Sequence, residues 1–274
     1  MPAVDSHAHA FDLTRQGWGG DRGFDILPNE LGTAPQFLHL LSCHGFTHGV
    51  LINPLGGYGA DNTYMLEAIA ASGGRLKGVA LLPDGTPEAT VRRMVEGGIV
   101  GIRFNLDFPT SPPLLGPAGE RALAQAREAG WIVQVHYHHG DSIIAALPVL
   151  RAARLPVIID HCGRPDLAGG MEQAGFQALL EFGRNSNAVI KLSGAFRLTQ
   201  TGSPYDDTDP YVAALIDAFT LDRCIWGSDW PFLRAKERTD YGALLAALHR
   251  VVPDAAGREK LLWTNPSRLF GFTG

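Results

Sequence analysis

Short apolar, β-branched runs alternate with amphipathic stretches along the whole of this 274-residue chain. The runs are Ala3 to Ser6, HGVLIN (48–53), LKGVALL (76–82), VGIRFNL (100–106), WIVQVHY (131–137), PVIIDH (156–161), AVIKLSGAF (188–196) and CIWGSDW (224–230). They are apolar on both faces, as strands of a helix-covered parallel sheet must be. Helical patterns lie between them, such as APQFLHLLSCHG, TYMLEAIAAS, TPEATVRRMVEGG, GERALAQAREAG, DSIIAALPVLRAA, GFQALLEFGR and DPYVAALIDAFT. Gly45, Gly73, Gly97 and Gly130 read as left-handed helix closers. Pro87 and Pro210 stand near helix starts, where a missing N–H costs little. NPSRLFGF reads as a capped turn, with Asn265 as N-cap and Pro266 at the first helical position.

Eight strand–helix pairs without a break in composition predict an α/β fold, one (β/α)8 TIM-type barrel over residues 1–274. A doubly wound open sheet is the alternative, but no GxGxxG follows the first strand. Two connections are long, 10–35 after the first strand and 197–209 after the seventh. Loops of that length in a compact domain are usually lids or binding loops, and both would rise over the same face.

Composition narrows the function classes. The chain has 23 basic and 28 acidic residues, a formal charge of −5, and no basic stripe. That argues against nucleic acid or a polybasic membrane anchor as partner. No window approaches the roughly 18 apolar residues of a membrane span, and no leader pattern precedes VDSHAH. Three scattered cysteines suggest a reducing, cytoplasmic setting. Nothing here speaks to oligomeric state.

In a barrel of this kind, reacting groups stand at the C-terminal ends of the strands. Strand one ends in His7 and His9, whose spacing of two puts both rings on one face of an extended chain. Strand four carries Arg103 and Asn105, and strand five ends in His136 and Tyr137. Strand six ends in Asp160 and His161, with Arg164 just beyond. Strand seven leads to Arg197, and strand eight ends in Asp229. Each has a plainer reading: a buried histidine satisfied in a core, Asp229 capping a turn, Asp160 orienting the His161 ring, the arginines as surface cations. His39, His44, His48 and His249 read as structural. The case for a site rests on convergence.

With VDSHAHAF, GIRFN, QVHY, DHCGRP, KLSGAFR, WGSDWPF and NPSRLFGF in this order, essentially the entire chain resembles the amidohydrolase superfamily. More narrowly, it resembles the branch of 2-pyrone-4,6-dicarboxylate lactonases and sugar lactonases. The resemblance implies a hydrolase that opens a carboxylated lactone, with no nucleic acid or membrane partner. In it, His7, His9 and His161 polarise the carbonyl and Asp229 activates water. Arg103, Arg164, Arg197, Tyr137 and, after strand two, Asn53 are the implied substrate contacts. The pyrone-dicarboxylate members carry further cations shortly after strand four, whereas LDFPTSPPLL has none. An anionic lactone is therefore expected more than a two-carboxylate pyrone. Strand four also lacks the lysine or glutamate that bridges two metals. The expectation is that no cofactor is required, the alternative being one zinc on His7, His9, His136 and Asp229. A metal-independent sugar-lactone isomerase, a zinc-dependent decarboxylase and a non-catalytic binding barrel are the rival readings.

Overall fold

The computed structural model describes residues 2–15 and 24–273. Eight parallel strands form one sheet in chain order: β1 (Val4–Ala8), β2 (His48–Ile52), β3 (Leu76–Ala80), β4 (Ile99–Asn105), β5 (Ile132–His136), β6 (Val157–Ile159), β7 (Val189–Ser193) and β8 (Cys224–Gly227). Helices follow the strands, as the alternating pattern predicts. The ends of the sheet meet just beyond β8. There Asp229 N donates to His7 O at 2.8 Å and His9 N to Trp230 O at 2.7 Å, around a parallel bridge between Ala8 and Trp230. A Cβ on Gly227 would lie 2.6 Å from the backbone N of His7, so glycine is what lets β8 close on β1.

The barrel interior is graded. Val50, Val79, Ile132, Ile158 and Ile225 form an apolar plug, sealed by Phe270 and Phe272. Two residues further along their strands come Gln134, Asp160 and Gly227, with Arg103 in register with Gln134. A second, larger core lies between the strands and the helices. The charged layer therefore sits on a dry floor, where an electrostatic interaction is worth several times its value in water.

Several boundaries differ from the sequence pattern. β7 stops at Ser193, because Gly194 turns left-handed (φ +70°) and the chain enters a short helix, Ala195–Leu198. β6 is three residues long and leads into four consecutive left-handed residues, His161, Cys162, Gly163 and Arg164. The left-handed closer at the helix Glu88–Glu96 is Gly98 (φ +89°), while Gly97 has φ −76°. Asn265 is not an N-cap. It continues a helical run from Ala255, and its amide donates to the carbonyls of Leu221 and Cys224 at 2.7 and 2.8 Å. Part of the long first connection, residues 16–23, lies outside the described residues. No helix among the described residues is long and apolar enough to cross a membrane.

Candidate active site

His7, His9, His161 and Asp229 converge at the C-terminal end of the barrel, all essentially buried. Asp229 Oδ1 lies 3.7 Å from His7 Nε2 and 3.5 Å from His9 Nε2, and Oδ2 lies 3.9 Å from His161 Nε2. The rings of His7 and His9 meet edge to face with centroids 5.0 Å apart, and His161 lies 4.5 Å from His7. The register of β1 shifts between Asp5 and Ala8, an irregularity of the kind that re-aims side chains beside active sites. The left-handed turn at DHCGR brings His161 to the same point. There Gly194, 3.1 Å from the imidazole by its would-be Cβ, leaves room for the ring. Left-handed residues other than glycine cost about 1–2 kcal/mol each. Asp229 (φ +61°) is another, and such strain concentrates at functional sites.

Beneath this group lies a buried ionic layer. Lys191 Nζ is 3.0 Å from Asp160 Oδ1, 3.0 Å from Gln134 Oε1 and 3.1 Å from His7 Nδ1. Arg103 reaches Asp160 Oδ2 at 3.2 Å and the Asn53 carbonyl at 3.3 Å. Above it, Arg197 donates through Nε to Asp229 Oδ2 and through Nη1 to Leu233 O at 2.9 Å. Burial alone would raise the Asp229 carboxyl, but Arg197 holds it well below the usual range. Asp160 is held down against burial in the same way, by Lys191 and Arg103. Burial lowers all four histidines of the floor: His7 and His136 well below their usual value, His9 lower, and His161 to about 3. At neutral pH the imidazoles are therefore uncharged, and the charges are those of two carboxylates, two arginines and one lysine.

Neutral imidazoles have defined faces. His9 Nδ1 lies 2.8 Å from the Ile52 carbonyl, which can only accept, so Nδ1 carries the proton and Nε2 presents a lone pair. His9 thus cannot offer an N–H to a carbonyl while neutral. An ammonium can only donate, and Lys191 Nζ at 3.1 Å stands nearer to His7 Nδ1 than Asp160 Oδ1 does at 3.4 Å, so Nδ1 accepts from Lys191 and the proton stays on Nε2, facing Asp229. His161 Nδ1 pairs with Ser193 Oγ at 2.9 Å, a partner that serves either tautomer.

The resemblance-based contacts divide. Arg103, Arg164 and Arg197 line the cavity above Asp229, with His9, His136 and His161. Tyr137 does not line it. Alternation along β5 turns Gln134 and His136 inward and Tyr137 the other way, where it is 1% exposed and its hydroxyl has no partner. Asn53 also faces elsewhere. Its Oδ1 accepts from Leu55 N at 2.8 Å and its Nδ2 donates to Asn62 Oδ1 at 2.9 Å, which organises the loop after β2. His39, His44, His48 and His249 lie away from the cavity lining, as the sequence reading has them.

A divalent ion would find three donors together: His7, His9 and Asp229, with ligand atoms within 4.8 Å of one another. His7 Nε2 and Asp229 Oδ1 are buried without a hydrogen-bond partner, and an N/O set of this kind suits zinc. The residues fit one ion, whose binding would displace the proton from His7 Nε2. His136 does not belong to that group, so the four-ligand expectation reduces to three. Its ring sits 5.3 Å from that of His161, with Nδ1 unpartnered.

The model of the amidohydrolase family matches residues 4–272. The chain belongs to this family. Among its relatives, a 4-sulfomuconolactone hydrolase of Rhizobium radiobacter is 32% identical over 98% of this chain and 90% of its own length. A 2-pyrone-4,6-dicarboxylate hydrolase of Comamonas testosteroni is 31% identical over the same shares. A solved structure from Acinetobacter baumannii, described as a probable 2-pyrone-4,6-dicarboxylic acid hydrolase with citric acid bound, superposes with a TM-score of 0.88 at 32% identity. It covers 99% of this chain and 100% of that one.

The cavity and the ionic layer beneath it hold residues that the strand-end reading passes over. Lys191 and Gln134 sit one inward step below the strand ends, within apolar runs. His138 lines the cavity, and the spacing HYH at 136–138, the same as at His7 and His9, is the signal that could have found it. Arg234 and Lys236 reach the cavity from the loop after β8.

Proposed function

We propose that this amidohydrolase opens an anionic lactone by hydrolysis. The observation that carries the reading is Asp229 Oδ1, a buried carboxylate oxygen with no hydrogen-bond partner at the floor of a cationic cavity. Water placed there gives its proton to Asp229 as its oxygen bonds to the lactone carbonyl carbon. His161 and the Arg103 and Arg197 guanidiniums line the cavity beside Asp229 and take up the negative charge that develops on the carbonyl oxygen. Preorganised donors of this kind contribute roughly 3–4 kcal/mol each in acyl transfer. The ring C–O bond then breaks, the proton on Asp229 passes to the leaving oxygen to make one new hydroxyl, and the new carboxylic acid releases water's second proton to solvent as it becomes a carboxylate. Arg164 holds the substrate's own carboxylate. The two relatives above, both lactone hydrolases by name, support the substrate class.

The reading needs no resident metal: the floor carries two carboxylates against Arg103, Arg197 and Lys191, a net positive charge without an ion. An ion held by His7, His9 and Asp229 would, when bound, supply Lewis-acid polarisation of the carbonyl. The three free thiols fit a reducing, cytoplasmic setting.

A panel of anionic lactones followed by proton release tests the reading, with elemental analysis of the protein and assays with and without chelator. Ring opening in ¹⁸O water should place label in the new carboxylate. An isomerised, unlabelled product would instead support isomerisation, the activity named for a D-galactarolactone isomerase of Agrobacterium fabrum at 26% identity.

A further inference from the structure

One peptide unit in the loop after β8 is gripped at both of its polar atoms. The carbonyl of Leu233 accepts from Arg197 Nη1 at 2.9 Å. The N–H of the same peptide, on Arg234, donates to Glu30 Oε1, 204 residues away in the chain. Arg197 in turn donates through Nε to Asp229 Oδ2. Glu30, the Leu233–Arg234 peptide, Arg197 and Asp229 thus stand in one line of hydrogen bonds. At its end, Asp229 Oδ1 is the oxygen left without a partner. Hydrogen bonds in series polarise one another, so a carboxylate at the peptide N–H makes the peptide carbonyl a stronger acceptor for the guanidinium.

The Glu30 end of this line is firmly seated. Glu30 is buried in the short helical turn Pro28–Glu30 of the connection after β1, and its Oε2 accepts from Leu27 N at 3.0 Å. Two residues on, Gly32 O accepts from Phe11 N at 2.7 Å. A Cβ on Gly32 would stand 2.2 Å from the ring of Trp230, so this connection lies flat on the residue that follows Asp229. The other end is a loop that needs holding. Asp229, Phe232 and Arg234 are all left-handed, at φ +61°, +65° and +55°, a region uncommon for residues with a Cβ. Glu30 does not line the cavity, whereas Arg197 and Asp229 do, so any effect of Glu30 on the reaction runs through Arg197.

We infer that Glu30 is a positioning residue: by fixing the Leu233–Arg234 peptide it holds Arg197 Nε on Asp229 Oδ2 and keeps Oδ1 free for water. This rests on the hydrolytic reading for the role of Oδ1, whereas the coupling of Glu30 to Arg197 stands without turnover. Spectra of the protein labelled with ¹⁵N-arginine read that coupling, with Arg197→Lys, which lacks the Nε–H, assigning the signal. In the wild type the Arg197 Nε–H should exchange slowly with solvent. In Glu30→Ala the exchange should quicken at least about ten-fold, the scale of one hydrogen bond, and Glu30→Gln, with one acceptor oxygen, should fall between. On a lactone that turns over, Glu30→Ala should lose about ten-fold or more in kcat with KM within about three-fold, since Arg164 still holds the substrate. Val91→Ala, a buried truncation on the outer helix Glu88–Glu96, lowers stability away from this line and should keep both readouts. A Glu30→Ala protein that is less stable but keeps the wild-type Nε–H exchange would overturn the inference, and so would an unchanged kcat. Where Glu30→Ala does not fold, Glu30→Gln decides by the same two readouts. Failure of every lactone to turn over would overturn the hydrolytic reading alone, since the exchange measurement needs no substrate.

Discussion

Lys191 Nζ stands 3.1 Å from His7 Nδ1, with both side chains sealed from solvent and 184 residues apart in the chain. Because the ammonium only donates, this contact decides which nitrogen of His7 carries the proton that faces Asp229. Lys191 is therefore a positioning residue for the site. Lys191→Met should leave Asp160 with Arg103 as its one strong counter-charge. Removing one member of a buried ion pair typically costs about 3–5 kcal/mol, so the melting temperature should drop sharply. Where the variant folds, ¹⁵N spectra of labelled histidine should report a changed His7 tautomer, and kcat should fall more than KM rises. An unchanged tautomer would remove Lys191 from that role.

Asp229→Asn should fold and lose at least about 10²-fold in kcat, the usual scale of general-base loss. The pH profile adds a second check. Asp229 is held well below the ordinary carboxylate range and His161 sits at about 3, so the basic form of Asp229 and the neutral form of His161 both persist down to mildly acidic pH. The wild-type kcat/KM should therefore show no acid limb between about pH 5 and 8. A limb near 6 to 7 would assign the base to another group.

Tyr137→Phe separates the resemblance from the geometry. The resemblance makes this hydroxyl a substrate contact, whereas its side chain packs outside the cavity with no partner. Deleting a buried, unsatisfied hydroxyl removes a group that costs roughly 1–3 kcal/mol to leave unpaired. The variant should match or exceed wild-type stability and keep its KM. A KM raised ten-fold would return Tyr137 to the site.

These cases show where sequence reading reached and where it stopped. The eight strands and their order follow from period, strand-end position puts His7, His9, His161 and Asp229 among the groups at one end of the barrel, and the resemblance singles out these four. The position of Tyr137 outside the cavity lining is legible from alternation, since it is one residue out of phase with His136. That of Lys191 is not. A lysine inside AVIKLSG looks like a polar interruption of a strand until Asp160, Gln134 and His7 are placed around it by three other strands. Arg234 likewise owes its position to Glu30, some two hundred residues earlier, and no local pattern encodes that contact.

Asp5 carries the last prediction, on stability. It is fully buried within β1, accepting from Ser228 N at 2.9 Å, His7 N at 3.2 Å and the Tyr241 hydroxyl at 3.1 Å. Burial outweighs those hydrogen bonds and raises its carboxyl from 3.8 to about 6. The folded protein therefore binds this proton more tightly than the unfolded chain does. Between those two values the folded state holds the proton and the unfolded state has lost it, so Asp5 contributes less stability as pH rises through that window. At one pKa unit per 1.36 kcal/mol, the full effect is about 3 kcal/mol. Asp5→Asn keeps an acceptor oxygen and removes the titration. The buried histidines act in the opposite sense, but they are common to both proteins and cancel in the difference. The melting temperature of Asp5→Asn relative to wild type should thus rise from pH 4 to pH 7 and level off above it. A difference that is flat across that range would mean Asp5 stays ionised in the folded protein, with its three donors outweighing burial.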